Sequence, residues 1–148
     1  MYISLGEIPT ASECLAAKVR RVHRVVVRHY DDNLRRLGIT VAQLDMLETL
    51  LEHGGRARAV DMSRWLLMDR STVARNIRRL EAAGLVTVQP GPSKREKEIV
   101  VTAQGESLAA DAKGPWEHAQ QTVGRLLGPE GIEALEVLVE RVTSKGGT

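Results

Sequence analysis

At Gly84 the apolar pattern of this chain changes period, and that change limits the folds open to it. Before Gly84, apolar residues recur every three or four positions, the spacing of one helix face. After it come two strand-like runs, Leu85-Val86-Thr87-Val88 and Ile99-Val100-Val101-Thr102, separated by the breaker Gln89-Pro90-Gly91-Pro92-Ser93. This is a hairpin with a long loop, and the loop carries Lys94, Arg95 and Lys97. Just upstream, two short helices are expected, from about Val60 to Leu67 and from Ser71 to Ala83, joined by the turn Met68-Asp69-Arg70. Asp69 or a neighbouring hydroxyl caps the second and Gly84 closes it. Two short helices at that spacing make a helix-turn-helix, and the hairpin behind it makes a wing.

Longer helices flank this unit. From about Ala11 to Leu37 the residues Leu15, Val19, Val22, Val26, Tyr30, Leu34 and Leu37 form one apolar stripe, ended by Gly38. Thr40 is the expected N-cap of a further helix running through Val41, Leu44, Leu47, Leu50 and Leu51 to His53-Gly54-Gly55. Beyond the wing, Leu108, Ala112, Trp116, Ala119, Val123 and Leu126 give a second long stripe, with a kink expected at Gly114-Pro115. Gly128-Pro129 punctuates it, and Ile132, Leu135, Leu138, Val139 and Val142 form a last helix before a fraying tail. The expected class is mainly α with a small β-hairpin: a winged helix-turn-helix with long N- and C-terminal dimerisation helices. In residues, that is a helix over 1–37, the winged unit over 38–102 and the C-terminal helices over 103–148, intertwined as one globular unit.

The net charge of +2 hides an uneven distribution. From Gly54 to Lys97 there are ten basic residues and four acids, net +6, and the rest of the chain carries −4. A basic middle between acidic arms suits a duplex-binding head on a scaffold, because neutralised phosphates supply most sequence-independent affinity. On a helix from Ser71, the side chains of Val73, Ile77 and Leu80 share one narrow stripe and face inward. Ser71, Arg75 and Arg78 point the opposite way, with Thr72, Asn76 and Arg79 on the flank. Hydroxyl, amide and guanidinium groups on one exposed face match the hydrogen-bonding edges of a major groove. The basic loop is suited to the adjoining minor groove, where arginine senses groove width, and Arg95 is the expected tip residue. The expected DNA contacts are therefore Ser71, Thr72, Arg75, Asn76, Arg78, Arg79, Lys94, Arg95 and Lys97, on double-stranded DNA. The apolar stripes at both ends suit a twofold homodimer reading two half-sites.

Other classes find little support. No apolar run approaches the roughly 20 residues of a membrane span, and Met1–Pro9 lacks the pattern of a secretory signal. The one cysteine, Cys14, leaves no internal disulfide, which fits a reducing cytoplasm. No nucleophile–base pair, phosphate loop or spaced carboxylate pair points to an enzyme, and the adjacent Asp31-Asp32 reads as solvated charge. His23, His29, His53 and His118 show no metal-ligand spacing with Cys14, so neither metal nor cofactor is expected. Cys14, near the start of the first helix with Lys18 and Arg21 one or two turns on, gives an alternative reading as an oxidant sensor. A winged helix that binds protein rather than DNA is the other alternative, disfavoured by the basic balance.

The landmarks Leu37-Gly38-Ile39-Thr40, Asp69-Arg70-Ser71-Thr72-Val73-Ala74-Arg75, Leu80-Glu81-Ala82-Ala83-Gly84-Leu85-Val86 and Val101-Thr102-Ala103-Gln104-Gly105 occur in this order. The chain resembles, from about residue 12 to 143, the multiple antibiotic resistance regulator (MarR) family. The resemblance implies a triangular dimer in which the first and last two helices of each chain intertwine. It implies a helix in the major groove and a wing arginine in the minor groove, roles that fall on Ser71, Thr72, Arg75 and Arg95. One departure stands out: the family wing carries an aspartate two positions before its arginine, and Ser93 occupies that place here. The resemblance further implies a ligand-responsive repressor with a cleft for a phenolic or aromatic acid effector, toward which Arg21 and His23 are the named candidates.

Overall fold

The computed structural model describes residues 13–93 and 95–144. The expectations placed on Met1–Pro9, on Lys94 and on the tail 145–148 lie outside the described residues. Five helices and three strands follow in the order α1 (Leu15–Leu34), α2 (Val41–Glu52), β1 (Arg56–Arg58), α3 (Ala59–Leu66), α4 (Arg70–Ala82), β2 (Val86–Pro90), β3 (Lys97–Val101) and α5 (Ala103–Ser144). The mainly helical winged-helix class read from the sequence is the class observed.

Caps set most of these boundaries. A single 3-10 turn, Arg35–Leu37, carries α1 to Gly38, whose φ of 70° reverses the chain. Thr40 then forms a full capping box: its hydroxyl accepts from the Gln43 amide at 3.2 Å, and Gln43 Oε1 accepts from the Thr40 amide at 3.1 Å. A third acceptor comes from α1, where Asp31 Oδ1 takes the Val41 amide at 2.7 Å. Asp31 is thus no solvated charge, as its sequence position suggested, but a tie from one helix to the orphan amides of the next. Its neighbour Asp32 pairs along α1 with Arg35.

Between α3 and α4 the chain turns at Leu67, which holds a left-handed φ of 52° while 69% exposed. Asp69 caps α4 as expected, its Oδ1 accepting from the Thr72 amide at 3.1 Å. β1 is an element the hydrophobic pattern does not disclose. It pairs antiparallel with β3, Ala57 opposite Ile99, so the hairpin becomes a three-stranded sheet of order β1-β3-β2.

α5 begins at a tight junction. Thr102 Oγ1 donates to the Gly84 carbonyl at 2.7 Å and accepts from the Gly105 amide at 3.0 Å. Gly105 is pressed so close to the wing's base that a Cβ there would lie 2.2 Å from the Leu85 carbonyl oxygen. The Thr-Ala-Gln-Gly run therefore does two jobs, capping a helix and letting it approach a strand. Gly114 and Pro115 keep helical dihedrals, so the chain stays helical through the point where a kink is expected. The break falls at Gly128 (φ 70°, ψ 171°), dividing α5 into limbs 103–127 and 129–144. Proline at 115 costs a backbone hydrogen bond without forcing an irregular dihedral, whereas the left-handed φ of Gly128 redirects the chain.

One core joins the winged unit to the root of α5. Leu34, Leu47, Leu50, Met62, Val73, Leu80 and Ile99 are sealed within it, together with Ala109 and Ala112. α1 packs along α5, where the Tyr30 hydroxyl donates to Gln120 and the Tyr30 and Trp116 rings lie 6.4 Å apart. The ends are different. Leu15, Val19, Leu138 and Val142 remain 75%, 66%, 52% and 64% exposed. Among the described residues no helix is long and apolar enough to cross a membrane.

Candidate nucleic-acid interface

α4 turns one face to the core and the other to solvent. Val73, Ile77 and Leu80 are buried, and Ser71, Arg75, Arg78 and Arg79 are exposed, with Thr72 half-buried between them. Asn76 departs from expectation. It is 7% exposed, and its Nδ2 donates to the Thr72 carbonyl one turn back at 3.2 Å. At 100° per residue it lies about 40° from Leu80 and about 60° from Val73, beside the buried stripe, so its amide is spent on its own helix and is withdrawn from the expected contacts.

The N-terminal turn of α4 is held by Asp69. Besides the Thr72 amide, its carboxylate accepts from Ser71 Oγ at 2.9 Å. Hydrogen bonds from Thr72 and Ser71 hold the Asp69 carboxyl below its ordinary 3.8. The cap thus orients a hydroxyl and the amide ends of the helix at the start of the exposed face, a place where anions are stabilised.

α4 packs on β2, and the hairpin extends from it. At its tip the Gly91 amide donates to the Glu96 carbonyl at 2.6 Å and the Glu96 amide to the Ser93 carbonyl at 3.1 Å. Arg95 and Lys97 are exposed. Among the described residues Arg95 makes no side-chain hydrogen bond or ion pair, so no brace from Ser93 is present.

The wing is braced instead at Glu96. Arg58, on β1, places Nη1 3.0 Å from Glu96 Oε1 while Nε and Nη2 grip the two oxygens of Asp61 at 2.8 and 3.2 Å. This forked contact lowers the Asp61 carboxyl below its ordinary 3.8. Arg56 reaches Glu98 at 3.5 Å along the same pair of strands. Arg58 and Glu96 did not figure among the expected site residues. The Arg58–Asp61 spacing of one helical turn was readable, but the 38 residues from Arg58 to Glu96 hide the second half of the clamp.

The effector candidates separate. Between α1, α2 and the first limb of α5 lies a cavity of about 840 Å³, with His23 and Trp116 on its walls and Met68, from the turn before α4, reaching in. Arg21 is exposed on α1 and does not line it. Cys14 sits at the N-cap of α1, away from the cavity, where the Ala17 amide lowers its thiol from the ordinary 9.0. Among the described residues no three His, Cys, Asp or Glu side chains converge to hold a metal ion.

Residues 37–95 match the model of the MarR family. No protein of curated function matches the chain in sequence. A cysteine-to-serine mutant of MarR from E. coli, complexed with operator DNA, superposes with a TM-score of 0.75 at 23% identity, over 86% of this chain and 92% of that one. BpsR of Bordetella bronchiseptica, whose DNA binding is regulated by 6-hydroxynicotinic acid, gives 0.76 at 24% over 93% and 98%. The M. tuberculosis regulator MosR in complex with DNA gives 0.76 at 26% identity, over 89% and 98%. Residues 37–95 thus resemble the winged helix of the MarR family, and the described chain shares the fold of the regulators it superposes on.

Proposed function

We propose that this chain is a transcription regulator that binds a palindromic operator in double-stranded DNA as a homodimer and answers to a small molecule as a repressor. The observation that carries the DNA reading is the division of α4. Its apolar stripe is spent on the core, while Arg75, Arg78, Arg79 and Ser71 remain outside, followed by a wing whose exposed side chains include Arg95 and Lys97. Two structures of like fold, E. coli MarR and MosR, are DNA complexes, which supports the same use here. Phosphate contacts fall to Arg78, Arg79, Lys94 and Lys97, and base readout to Arg75, which can fork onto a guanine. The homodimer is supported by apolar side chains left exposed at both ends of the chain. The response to a small molecule is supported by the cavity beneath α4's leading turn and by the regulated DNA binding of BpsR.

The test is a gel shift with the DNA upstream of the chain's own reading frame, at two salt concentrations and with competitor DNA. Specific binding is expected to survive competitor and to fall steeply with salt. Arg75→Ala is expected to cost about 1–3 kcal/mol of specific affinity with the fold intact. Operator binding unchanged by that substitution would remove α4 from the reading position.

A further inference from the structure

The cavity beneath the winged unit combines an apolar floor with an acidic rim. Val27, Leu44, Leu51, Ala109 and Trp116 make the floor and walls. Asp45, Glu48 and Glu52 project from α2 and Glu106 from α5, against Lys113 of α5 and His23 of α1. Among the described residues none of the four carboxylates makes an ion pair. Glu48 and Glu52 stand one turn apart as like charges, an arrangement that destabilises a helix when nothing offsets it. Asp45 is exposed at the rim, yet partial desolvation by the neighbouring walls and the Glu52 charge raise its carboxyl above the ordinary 3.8. The carboxylates are too dispersed to gather round a metal ion. An extended apolar group bearing a positive charge meets both halves of the lining, whereas an anion would face four exposed carboxylates against one lysine and one histidine.

We propose that this cleft takes a small aromatic organic cation, its ring on Trp116 and Leu51 and its charge on Asp45 and Glu48. The ligand would also touch Met68, next to the Asp69 cap of α4, which links occupancy to the DNA-reading helix; that link rests on the function proposed above.

The test uses naphthylmethylammonium and naphthoate, which share a ring system and differ in the sign of charge. Trp65 is outside the cavity and stacks on His53 at 3.7 Å, so a Trp65→Phe background leaves Trp116 as the fluorescent reporter. Saturable quenching by the ammonium is expected in the absence of DNA, with naphthoate at least about tenfold weaker. Asp45→Asn and Glu48→Gln, checked for native circular dichroism, are each expected to weaken the ammonium about fivefold, as one solvent-screened ion pair would. Equal or tighter binding of naphthoate, no saturable binding of either probe, or indifference to both substitutions would overturn the proposal. So would dissociation of a dimer in sedimentation by Asp45→Asn or Glu48→Gln, since the carboxylates would then serve a second chain's basic residues. A protein that binds the ammonium but no DNA would overturn the regulatory reading and leave the cation site standing. One that binds DNA but neither probe would do the reverse.

Discussion

Gly105 and Asp69 show what single residues do in this fold. At Gly105 the tolerance is zero: a methyl group would sit 2.2 Å from the Leu85 carbonyl oxygen and 2.9 Å from a Val101 methyl. Gly105→Ala must push α5 off the wing's base, and a loss of about 1–3 kcal/mol in chemical denaturation is expected. Asp69 works through charge. Its carboxyl and that of Asp61 are both held below the ordinary 3.8 by donors in the folded state. The folded chain therefore binds those protons less readily than the unfolded one. The stabilisation is complete above the unfolded value and is lost as pH falls through the lowered folded values. Asp69→Asn should flatten the acid limb of a melting-temperature profile below pH about 4 and lower the neutral plateau by the share the charge contributes, the rest of the cap being kept because asparagine also caps. An unaltered acid limb would show that the cap's charge contributes nothing. Asp69 was legible as a cap, whereas Gly105 stood out only within a landmark run. The reason it tolerates no Cβ was hidden, because the Leu85 carbonyl it presses on lies 20 positions earlier in the chain.

Elements read from one period are those the sequence announces best. The stripe Val73, Ile77 and Leu80 put α4 on the core, and Thr40 and Asp69 marked helix starts that the structure keeps. Asn76 escaped because a polar residue beside the stripe has two outlets, water or its own helix, and only the packing of neighbours decides between them. β1 escaped because three residues have no measurable period and its partner β3 lies some 40 positions on. That strand nevertheless carries Arg58, the clamp on Glu96. Arg58→Gln is expected to leave the wing attached through its β2–β3 pairs but free to sample more tip positions. Specific DNA affinity should then fall several-fold with little change in the salt slope, because no phosphate contact is removed. Titration of operator DNA at several salt concentrations separates that outcome from loss of a direct contact, which would lower the slope.

At the scale of the whole molecule the unburied residues are what argues for the proposed homodimer. A monomer normally covers its larger apolar stripes, yet here Leu15 and Val19 at one end and Leu135, Leu138, Val139 and Val142 at the other stand 39–75% exposed. They are not scattered. They lie at the start of α1 and along the second limb of α5, which follows the break at Gly128 and contributes no residue to the core. A second copy placed by a twofold axis would meet the same faces in reverse, which closes the interface. An obligate assembly of this kind buries about 2,000 Å² or more. If folding and association are one event, the melting temperature should rise with protein concentration. Leu138→Asp in the second limb puts an unpaired carboxylate into such an interface. It should yield monomers in sedimentation velocity and a concentration-independent, lower melting temperature, although Leu138 lies outside the core of its own chain. DNA affinity should fall with it, since two half-sites would no longer be read together. A Leu138→Asp protein as dimeric and as stable as the parent would mean that the exposed stripe of the second limb is not where two copies meet.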